Sequence, residues 1–518
     1  MAIIAVCLAF AFLLSAVGAS FHSPAMDYGE STISDIQSYF ADGSLTSRQL
    51  VSFYLARIQS LNPYLHAVIE VNPDALSDAD TADCQRLSGS PLSRGILHGI
   101  PILLKDNIVT RDRLNTTAGS LALLGSVVPR DAGVAARLRS AGAIILGKAS
   151  LSEWAYYRFE DAPSGWSARG GQGINPYVAS AGTCGSSSGS AVSAAAGMTA
   201  VALGTETHGS IICPASLNSV VGIKPTVGLT SRAGVIPVTP RQDTVGPMAR
   251  TVADAVAVLE AMVGYDKRDS EATAAAAAFV PEGGYMQFLK EDGLKGKRVG
   301  ILRKGFFNFV QGSLEKKTLE QHFHVMRKKG AILIDNLEIA NASIIQNGAE
   351  SGEDVAMLAE FKLSVNAYLS ELVISPVRSL AEVIAFNNEH KIQEMIEEYG
   401  QQRFLDAEKM NGIGRIERAA IKKLGELSEN GLEKLMKEKK LDAVVTPNYS
   451  CISFLAINGY PGISVPAGYG KSGVPFGICF GGLKGSEPTL IEISYAFEQA
   501  TKVRKPPLII SAGDLSGR

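Results

Sequence analysis

Residues 183–191 read TCGSSSGSA, with three consecutive serines between glycines, and the interpretation of this stretch decides the fold. One interpretation is the G-x-S-x-G turn of the α/β hydrolases, in which Ser187 is the nucleophile. That turn requires a buried strand just before it and, further along the chain, an acid followed by a histidine. Residues 175–182 make a poor strand, and the histidines beyond residue 300 lie on charged helical segments, where we expect surface side chains. We therefore interpret the match as accidental.

The segments before this stretch alternate between helix and strand patterns. Residues 31–60 carry apolar side chains at mostly helical spacing and predict two amphipathic helices. Residues 99–105 predict a short buried strand that ends in a lysine, and a helix over 135–140 and a strand over 143–146 follow. This alternation predicts an α/β fold.

The segments after it continue the pattern in a single domain that we expect to span residues 20–518. The small residues of 191–202 predict a tightly packed helix. The composition of 266–440 shifts to Lys, Glu and Leu and predicts a helix-rich insertion, with helices near 316–329 and 354–372. Residues 441–447 and 462–466 predict strands that rejoin the sheet.

Composition excludes several classes of partner. The 518 residues include 49 Lys and Arg against 51 Asp and Glu, which gives a net charge of −2. A chain so nearly neutral has no long-range field to attract nucleic acid or a membrane surface. We expect neither partner, and we expect a monomer or a homodimer.

The first 19 residues, MAIIAVCLAFAFLLSAVGA, are largely apolar and end in small residues. This pattern predicts a secretory signal peptide, although it lacks the usual basic residue near the start. We expect entry into the secretory pathway and a secreted, apoplastic or vacuolar protein. The glycosylation acceptor pattern occurs at Asn115, Asn341 and Asn448.

The spacing of the cysteines does not predict a set of disulfide bonds. After Cys7 the chain has five cysteines, an odd and scattered set with no C-x-x-C pair: Cys84, Cys184, Cys213, Cys451 and Cys479. We expect buried or free thiols, with one disulfide possible in an oxidising compartment.

Two segments carry residues suited to catalysis. Lys105 follows the apolar residues 102–104, so burial of its amine would lower its pKa and allow it to act as a base. The alternative is an ordinary lysine at the end of a strand. A glycine turn before Ser210 can leave consecutive backbone N–H groups unpaired, as an oxyanion hole requires, or it can simply join two elements.

Together these segments resemble the amidase signature enzymes. The resemblance rests on GIPILLKDN at 99–107, TTAGS at 116–120, CGSSSGSA at 184–191, GTETHGSIICPAS at 204–216 and GIKPTVGLTSRAGVIP at 222–237. Within that family, LSEWA at 151–155, SGWSARGGQ at 164–172 and GVPFGICFGGLKGSEP at 473–488 are similar to the peptide amidase subgroup and its plant relatives. The resemblance implies a single α/β/α domain with a mixed, mostly parallel sheet covered by helices.

The resemblance also implies a catalytic machinery. Ser210 is the nucleophile, Lys105 is the base, and Ser186 follows a cis peptide bond and links the two. The backbone N–H groups of Thr207, His208, Gly209 and Ser210 form the oxyanion hole. An acyl-enzyme then reacts with water, and neither a cofactor nor a metal takes part.

The substrate implied by this machinery is a small-molecule or peptide amide. Three alternatives remain: acyl transfer from the same acyl-enzyme to an amine or alcohol, a binding relative that has lost catalysis, and an amidotransferase subunit.

Three places depart from the family pattern, and one of them is Gly173-Ile174, which stands where a Thr-Arg pair is usual. His208 stands where glycine or aspartate is expected. Either only its backbone N–H matters and its side chain packs away from the site, or its imidazole faces the pocket and tunes leaving-group protonation or substrate choice. Tyr156 stands where asparagine is common, which either marks a pocket for a less polar substrate or reflects drift in a supporting loop.

Overall fold

The computed structural model describes residues 27–159, 161–310 and 312–508. Its strands, in chain order, are β1 (Val68–Val71), β2 (Pro101–Lys105), β3 (Ile144–Ala149), β4 (Trp166–Ser167), β5 (Gly171–Gln172), β6 (Val201–Glu206), β7 (Val221–Lys224), β8 (Thr244–Ala249), β9 (Arg298–Leu302), β10 (Ile332–Leu337), β11 (Ala443–Pro447), β12 (Gly462–Tyr469) and β13 (Pro475–Gly481).

Eleven of these strands form one sheet in the order β1-β3-β2-β6-β8-β7-β12-β13-β11-β9-β10, and β4 and β5 form a separate pair. Four neighbouring pairs of the large sheet are parallel and six are antiparallel. Parallel pairing occupies two outer blocks, β3-β2-β6 and β11-β9-β10, and antiparallel pairing runs through the centre. The expected mixed sheet is confirmed, but antiparallel pairs outnumber parallel ones, whereas a mostly parallel sheet was expected, because the run from β6 to β11 pairs antiparallel throughout.

The helices that cover the sheet are α1 (Ile33–Asp42), α2 (Ser47–Leu65), α3 (Ala75–Leu87), α4 (Gly133–Ser140), α5 (Ser188–Ala195), α6 (Ile212–Leu217), α7 (Val252–Met262), α8 (Ser270–Ala276), α9 (Leu314–Lys328), α10 (Ala342–Ile345), α11 (Gly348–Ser351), α12 (Glu353–Glu371), α13 (Leu380–Glu389), α14 (Ile396–Tyr399), α15 (Gln402–Glu408), α16 (Arg415–Ser428), α17 (Lys434–Lys439), α18 (Ile452–Ala456) and α19 (Glu487–Thr501). A π-helical segment, Glu429–Glu433, joins α16 to α17.

Helices pack on both faces of the sheet. Met248 of β8 packs in one apolar cluster with residues of α5 and α6. Val245 and Ala249 of the same strand pack in a second cluster, which also contains buried residues of α7 and α19. Since alternate residues of a strand point to opposite faces, the two groups of helices lie on opposite sides. The expected α/β/α arrangement is confirmed.

The two helices predicted within residues 31–60 are α1 and α2, and each begins at a capping box. The Thr32 side chain accepts a hydrogen bond from the Asp35 N–H, and the Asp35 carboxylate accepts one from the Thr32 N–H. Thr46 and Gln49 repeat this reciprocal capping at the start of α2. Such boxes satisfy N–H groups that a helix leaves unpaired at its first turn, which fixes where each helix starts.

Two predicted elements differ from the structure. The helix expected over 191–202 is α5, which ends at Ala195, and residues 201–202 already belong to β6. The small residues that predict a helix also suit a fully buried strand. The insertion expected over 266–440 is helix-rich, but it also supplies β9 and β10, which extend the sheet beside β11.

Some expectations about single residues also change. His322 is not a surface residue: it lies on the buried face of α9, where its Nε2 is 2.6 Å from the Ala467 carbonyl oxygen. Between described residues, the disulfides Cys184–Cys213 and Cys451–Cys479 are present where buried or free thiols and at most one bridge were expected. Spacing gave no hint of either, because each bridge joins segments that only the fold brings together.

Other expectations concern the ends and surface of the chain. The expected signal peptide at 1–19 lies outside the described residues. Within the described ranges, no helix has both the length and the apolar character needed to cross a bilayer. Of the three glycosylation acceptors, Asn341 is exposed, whereas Asn115 donates to the Glu70 carboxylate and Asn448 is half-buried.

A buried ion cluster ties the insertion to the rest of the domain. Arg158 is fully buried and contacts the equally buried carboxylates of Glu153 and Glu394. It also donates from Nε to the Gly400 carbonyl oxygen at 3.2 Å. Burial, and then the charge of Glu394, raise the pKa of Glu153 well above its usual range, which favours the protonated form of the Glu153 carboxyl.

This cluster predicts unequal effects for two substitutions. Arg158→Met leaves two carboxyl groups buried without their cation, and we expect it to cost about 3–5 kcal/mol of stability. Glu153→Gln imitates the protonated carboxyl and should cost less than a third as much. Thermal unfolding of both variants measures the difference, and equal midpoints would contradict the assignment of the proton to Glu153.

Candidate active site

The side chain of Lys105 lies at the carboxyl end of β2, inside the sheet. All five residues of β2 are buried, because the strand pairs in parallel with β3 on one side and β6 on the other. The Lys105 amine Nζ lies 2.7 Å from Ser186 Oγ, 2.9 Å from Thr205 Oγ1 and 3.1 Å from the Thr205 carbonyl oxygen. A short contact thus joins Lys105 to Ser186, the serine expected to link the base to the nucleophile.

Burial changes the protonation of this lysine. It lowers the pKa of Lys105 to about 7, with the Glu206 and Asp243 carboxylates acting in the opposite direction. A neutral amine has two N–H donors and one lone pair. The two oxygens of Thr205 accept the donors, so the lone pair is left for the hydroxyl of Ser186.

Ser186 is held in a turn whose backbone is fixed on several sides. The peptide bond between Gly185 and Ser186 is cis. The Ser186 carbonyl oxygen accepts a hydrogen bond from the Ser152 N–H at 3.0 Å, and the Ser186 side chain is fully buried. A Cβ at position 185 would lie 2.2 Å from Ser152 Oγ, so a side chain there would displace the hydroxyl that accepts from the Gly165 N–H at 2.8 Å.

Ser187 would be the nucleophile of an α/β hydrolase, and its hydrogen bonds differ from those of Ser186. Its side chain is fully buried; its Oγ donates to the Thr205 carbonyl oxygen at 3.1 Å and accepts from the Thr205 N–H at 3.2 Å. A hydroxyl engaged in both directions with one backbone unit is a structural contact. In this conformation the Ser187 hydroxyl is therefore not free to attack a substrate.

Ser210 lies in the loop 207–210 between β6 and α6 and retains 6% exposure. Its carbonyl oxygen accepts from the Ser187 N–H at 3.2 Å, which joins the two serine segments through their backbones. Among the described residues, the Ser210 hydroxyl has no hydrogen-bond partner, so the structure does not place it in a closed bond with Ser186. Catalytic hydrogen bonds are often long in unliganded enzymes and tighten when substrate binds.

The backbone of the loop is suited to binding an anion. Within the described part of the chain, the N–H groups of residues 207–210 donate to no protein acceptor. Gly209 has a φ of 84°, and a Cβ there would lie 3.0 Å from Ile452 Cδ1, so glycine is required for this turn. Unpaired N–H groups on consecutive residues are the donors that an oxyanion hole uses.

Carboxylates hold both ends of this loop. The Glu206 carboxylate accepts from the N–H groups of Ile211 and Ile212 at 2.7 and 2.9 Å. The Thr207 hydroxyl donates to Asp243 at 2.6 Å. Burial raises the pKa of Asp243 to about 6, against the hydrogen bond from Thr207. The loop is thus fixed at its ends by side chains, which leaves its own N–H groups free.

His208 and Tyr156 both line a cavity of about 340 Å³ beside the loop. The imidazole of His208 is 30% exposed and lies between Glu353 and Ser453, so it neither packs away from the site nor points freely into it. Tyr156 donates its hydroxyl to the Ala162 carbonyl oxygen at 2.6 Å. The other residues that line the cavity are Tyr157, Phe159, Gly348, Glu353, Asp354, Met357 and Arg403.

Several partners of the site were not found from the sequence. Thr205 fixes the Lys105 amine, and Asn107 donates to Thr205 Oγ1 at 3.0 Å. Asp106, next to Lys105, accepts from the Thr117 hydroxyl and from the Gly119 N–H at 3.1 Å, which explains the TTAGS motif. In the sequence, the only indication of a role for Asp106 and Asn107 was that they directly follow Lys105.

The disulfide Cys184–Cys213 joins the two segments that carry the serines. Cys184 precedes Ser186 by two residues and Cys213 follows Ser210 by three. Their Cα atoms are 5.9 Å apart. The bridge therefore limits how far the two segments can separate. In the described ranges, no group of His, Cys, Asp and Glu side chains could hold a metal ion.

Comparison with known proteins gives the same family as the motifs. The family model described as Amidase matches residues 49–455. The chain is 60% identical over 482 residues to a probable amidase of Arabidopsis thaliana, which covers 93% of this chain and 92% of that protein.

Solved structures agree with this match. The native peptide amidase from Stenotrophomonas maltophilia is similar with a TM-score of 0.87 and 42% identity, over 93% of this chain and 99% of that one. An amidase family protein from Bacillus anthracis is similar with a TM-score of 0.86 and 38% identity, over 92% of each chain. The chain therefore belongs to the amidase signature family, and it is an amidase.

Proposed function

We propose that this amidase hydrolyses a carboxamide through a Ser210 acyl-enzyme, with Lys105 as the base and Ser186 as the link between them. The observation that carries the proposal is the 2.7 Å contact between Lys105 Nζ and Ser186 Oγ. Since Thr205 occupies the other two directions around the amine, the neutral lysine accepts a proton only from Ser186.

The first half-reaction transfers the acyl group to the enzyme. Ser210 Oγ attacks the amide carbon as its proton passes to Ser186, and the proton of Ser186 passes to Lys105. The carbonyl π electrons move to oxygen, which the N–H groups of residues 207–210 stabilise. The C–N bond then breaks, and the leaving nitrogen takes a proton back from Ser186, which is resupplied by Lys105.

The second half-reaction releases the acid. Water attacks the ester carbon, and its proton passes through Ser186 to Lys105. As the ester C–O bond breaks, Ser210 regains its proton by the reverse path. The net reaction consumes one water and produces a carboxylic acid and ammonia or an amine. No redox step is needed.

The charged lining of the cavity supports a polar substrate rather than a long acyl chain. Four of its residues, His208, Glu353, Asp354 and Arg403, are titratable or charged, and its lining also includes aromatic residues such as Tyr156. A long alkyl chain would gain little there, because it would displace water from charged groups. We propose a peptide C-terminal amide as the substrate class, and the likeness to a peptide amidase supports this choice.

The nucleophile can be identified by covalent labelling. A fluorophosphonate should modify Ser210, as located by peptide mass spectrometry, and Lys105→Ala should abolish the adduct because Ser210 then lacks its base. Ser187→Ala is the matched control, since it removes a neighbouring buried hydroxyl, and it should keep the adduct. Modification of Ser187, or amide hydrolysis that survives Ser210→Ala, would contradict the proposed mechanism.

The rate of labelling should depend on pH through Lys105. The base must be neutral, so a pKa of about 7 predicts that the rate rises about tenfold per pH unit below 7 and levels off above it. Labelling rates measured between pH 5 and 8 cover both the expected rise and the plateau. A rate that stays constant over that range would show that no group of this pKa is the base.

The substrate class can be tested by ammonia release. An N-blocked dipeptide amide should be hydrolysed with a kcat/KM at least roughly tenfold above that of an 18-carbon primary amide, because only the former matches the charged lining. Ser210→Ala should abolish both activities. Preference for the fatty amide would overturn the proposed substrate class and leave the mechanism standing.

A further inference from the structure

The loop 207–210, which supplies the proposed oxyanion hole, is held at its centre by the side chain of His208. Its N–H groups are unpaired, so they cannot hold it in place. Glu206 and the Thr207–Asp243 contact fix its ends. Between them, Gly209 has no side chain and Ser210 is the proposed nucleophile, so His208 is the one residue whose side chain can anchor the middle of the loop.

The imidazole of His208 reaches two helices outside the loop. Its Nδ1 lies 3.0 Å from the carboxylate of Glu353, the first residue of α12, and its Nε2 lies 3.2 Å from the hydroxyl of Ser453 in α18. The same Glu353 oxygen accepts from Gln242 at 2.7 Å, which fixes the carboxylate. Both ring nitrogens are therefore engaged, and the ring spans the space between the loop and the two helices.

We propose that His208 is a positioning residue whose ion pair with Glu353 holds the oxyanion loop in its catalytic shape and sets an alkaline limit to activity. The inference rests on the proposed function, in which residues 207–210 stabilise the oxyanion. His208 acts through the loop backbone, because both of its ring nitrogens are engaged by Glu353 and Ser453.

The charge of His208 depends on the groups around it. Burial lowers its pKa, but the charge and hydrogen bond of Glu353 outweigh burial and raise the pKa above its ordinary value. Glu206, at the end of β6, and Asp354 of α12 act in the same direction. The pKa of Glu353 is lowered in turn by His208 and by Arg241, despite the opposing effect of burial. Arg403 of α15 is the other cation of the cavity and pairs with Asp354.

The sign of the pH effect follows from the raised pKa. The ion pair is fully formed below the ordinary pKa of histidine and is lost as pH rises through the raised value. The titration of Lys105 has the opposite effect on activity, because Lys105 must lose its proton to serve as the base. Activity should therefore rise with pH through Lys105 and fall at higher pH as His208 becomes neutral.

Three variants separate positioning from general support of the fold. His208→Ala removes both contacts, His208→Gln keeps a neutral donor and acceptor, and Glu353→Gln keeps the hydrogen bond but removes the charge. The steady-state kinetics of peptide-amide hydrolysis between pH 5 and 10 and the thermal midpoint are measured for each. Ser210→Ala is assayed in parallel.

The proposal predicts a distinct pattern. His208→Ala should lower kcat about tenfold or more with KM changed less than about threefold, since a displaced oxyanion donor weakens transition-state binding more than substrate binding. His208→Gln imitates neutral His208, so its kcat should stay near the lowered alkaline level of the unaltered enzyme at every pH, above that of His208→Ala, with no alkaline fall. Glu353→Gln should lower kcat and move the alkaline fall to lower pH by roughly one unit, because His208 loses its anionic partner. The rise in activity with pH that is assigned to Lys105 should occur at the same pH in all three variants.

Other results would overturn it. An alkaline fall that persists unchanged in His208→Gln, or a kcat that is unaffected in His208→Ala, contradicts the positioning role. If His208→Ala does not fold, the pH profiles of the two glutamine variants decide the question. Activity that survives Ser210→Ala would instead contradict the proposed function, so the two failures are distinguishable.

Discussion

The burial of one amine, that of Lys105, constrains the rest of the active site. A charged ammonium placed inside a sheet loses its hydration, so the group must either be paired with an anion or become neutral. Among the residues that the structure describes, no carboxylate contacts the amine directly; instead Thr205 supplies two oxygens. The parallel pairing of β2 with β6 places that threonine alongside, because Leu104 is in register with Leu203. Sheet topology thus places the Lys105 amine where it can serve as the proposed base.

The same constraint explains why the two serine segments are so firmly attached. A relay of protons through Ser186 works only if its hydroxyl stays within reach of both Lys105 and the nucleophile. The Ser187 N–H bonds to the Ser210 carbonyl, Glu206 fixes the start of α6, and the disulfide Cys184–Cys213 joins the segments covalently. These contacts are redundant, as expected where a small displacement has a large effect on rate.

Sequence alone predicted the elements whose signals are local. The strand that ends in Lys105 and the helices α1 and α2 follow from apolar periodicity, and the serine motifs identified the family. Thr205, Glu353 and Ser453 could not be predicted as partners, because each lies on a different element and becomes a neighbour only through the fold. His208 shows the limit most clearly: its departure from the family pattern was visible, but its role depends on a glutamate 145 residues away.

A crystal structure of the fluorophosphonate adduct would test the central claim most directly. The proposed mechanism predicts phosphorus bonded to Ser210 Oγ, one phosphonyl oxygen within hydrogen-bond distance of N–H groups of residues 207–210, and Ser186 Oγ between Ser210 and Lys105. A phosphonyl oxygen directed away from this loop, or an adduct in which Ser186 contacts neither neighbour, would contradict the relay from the buried lysine.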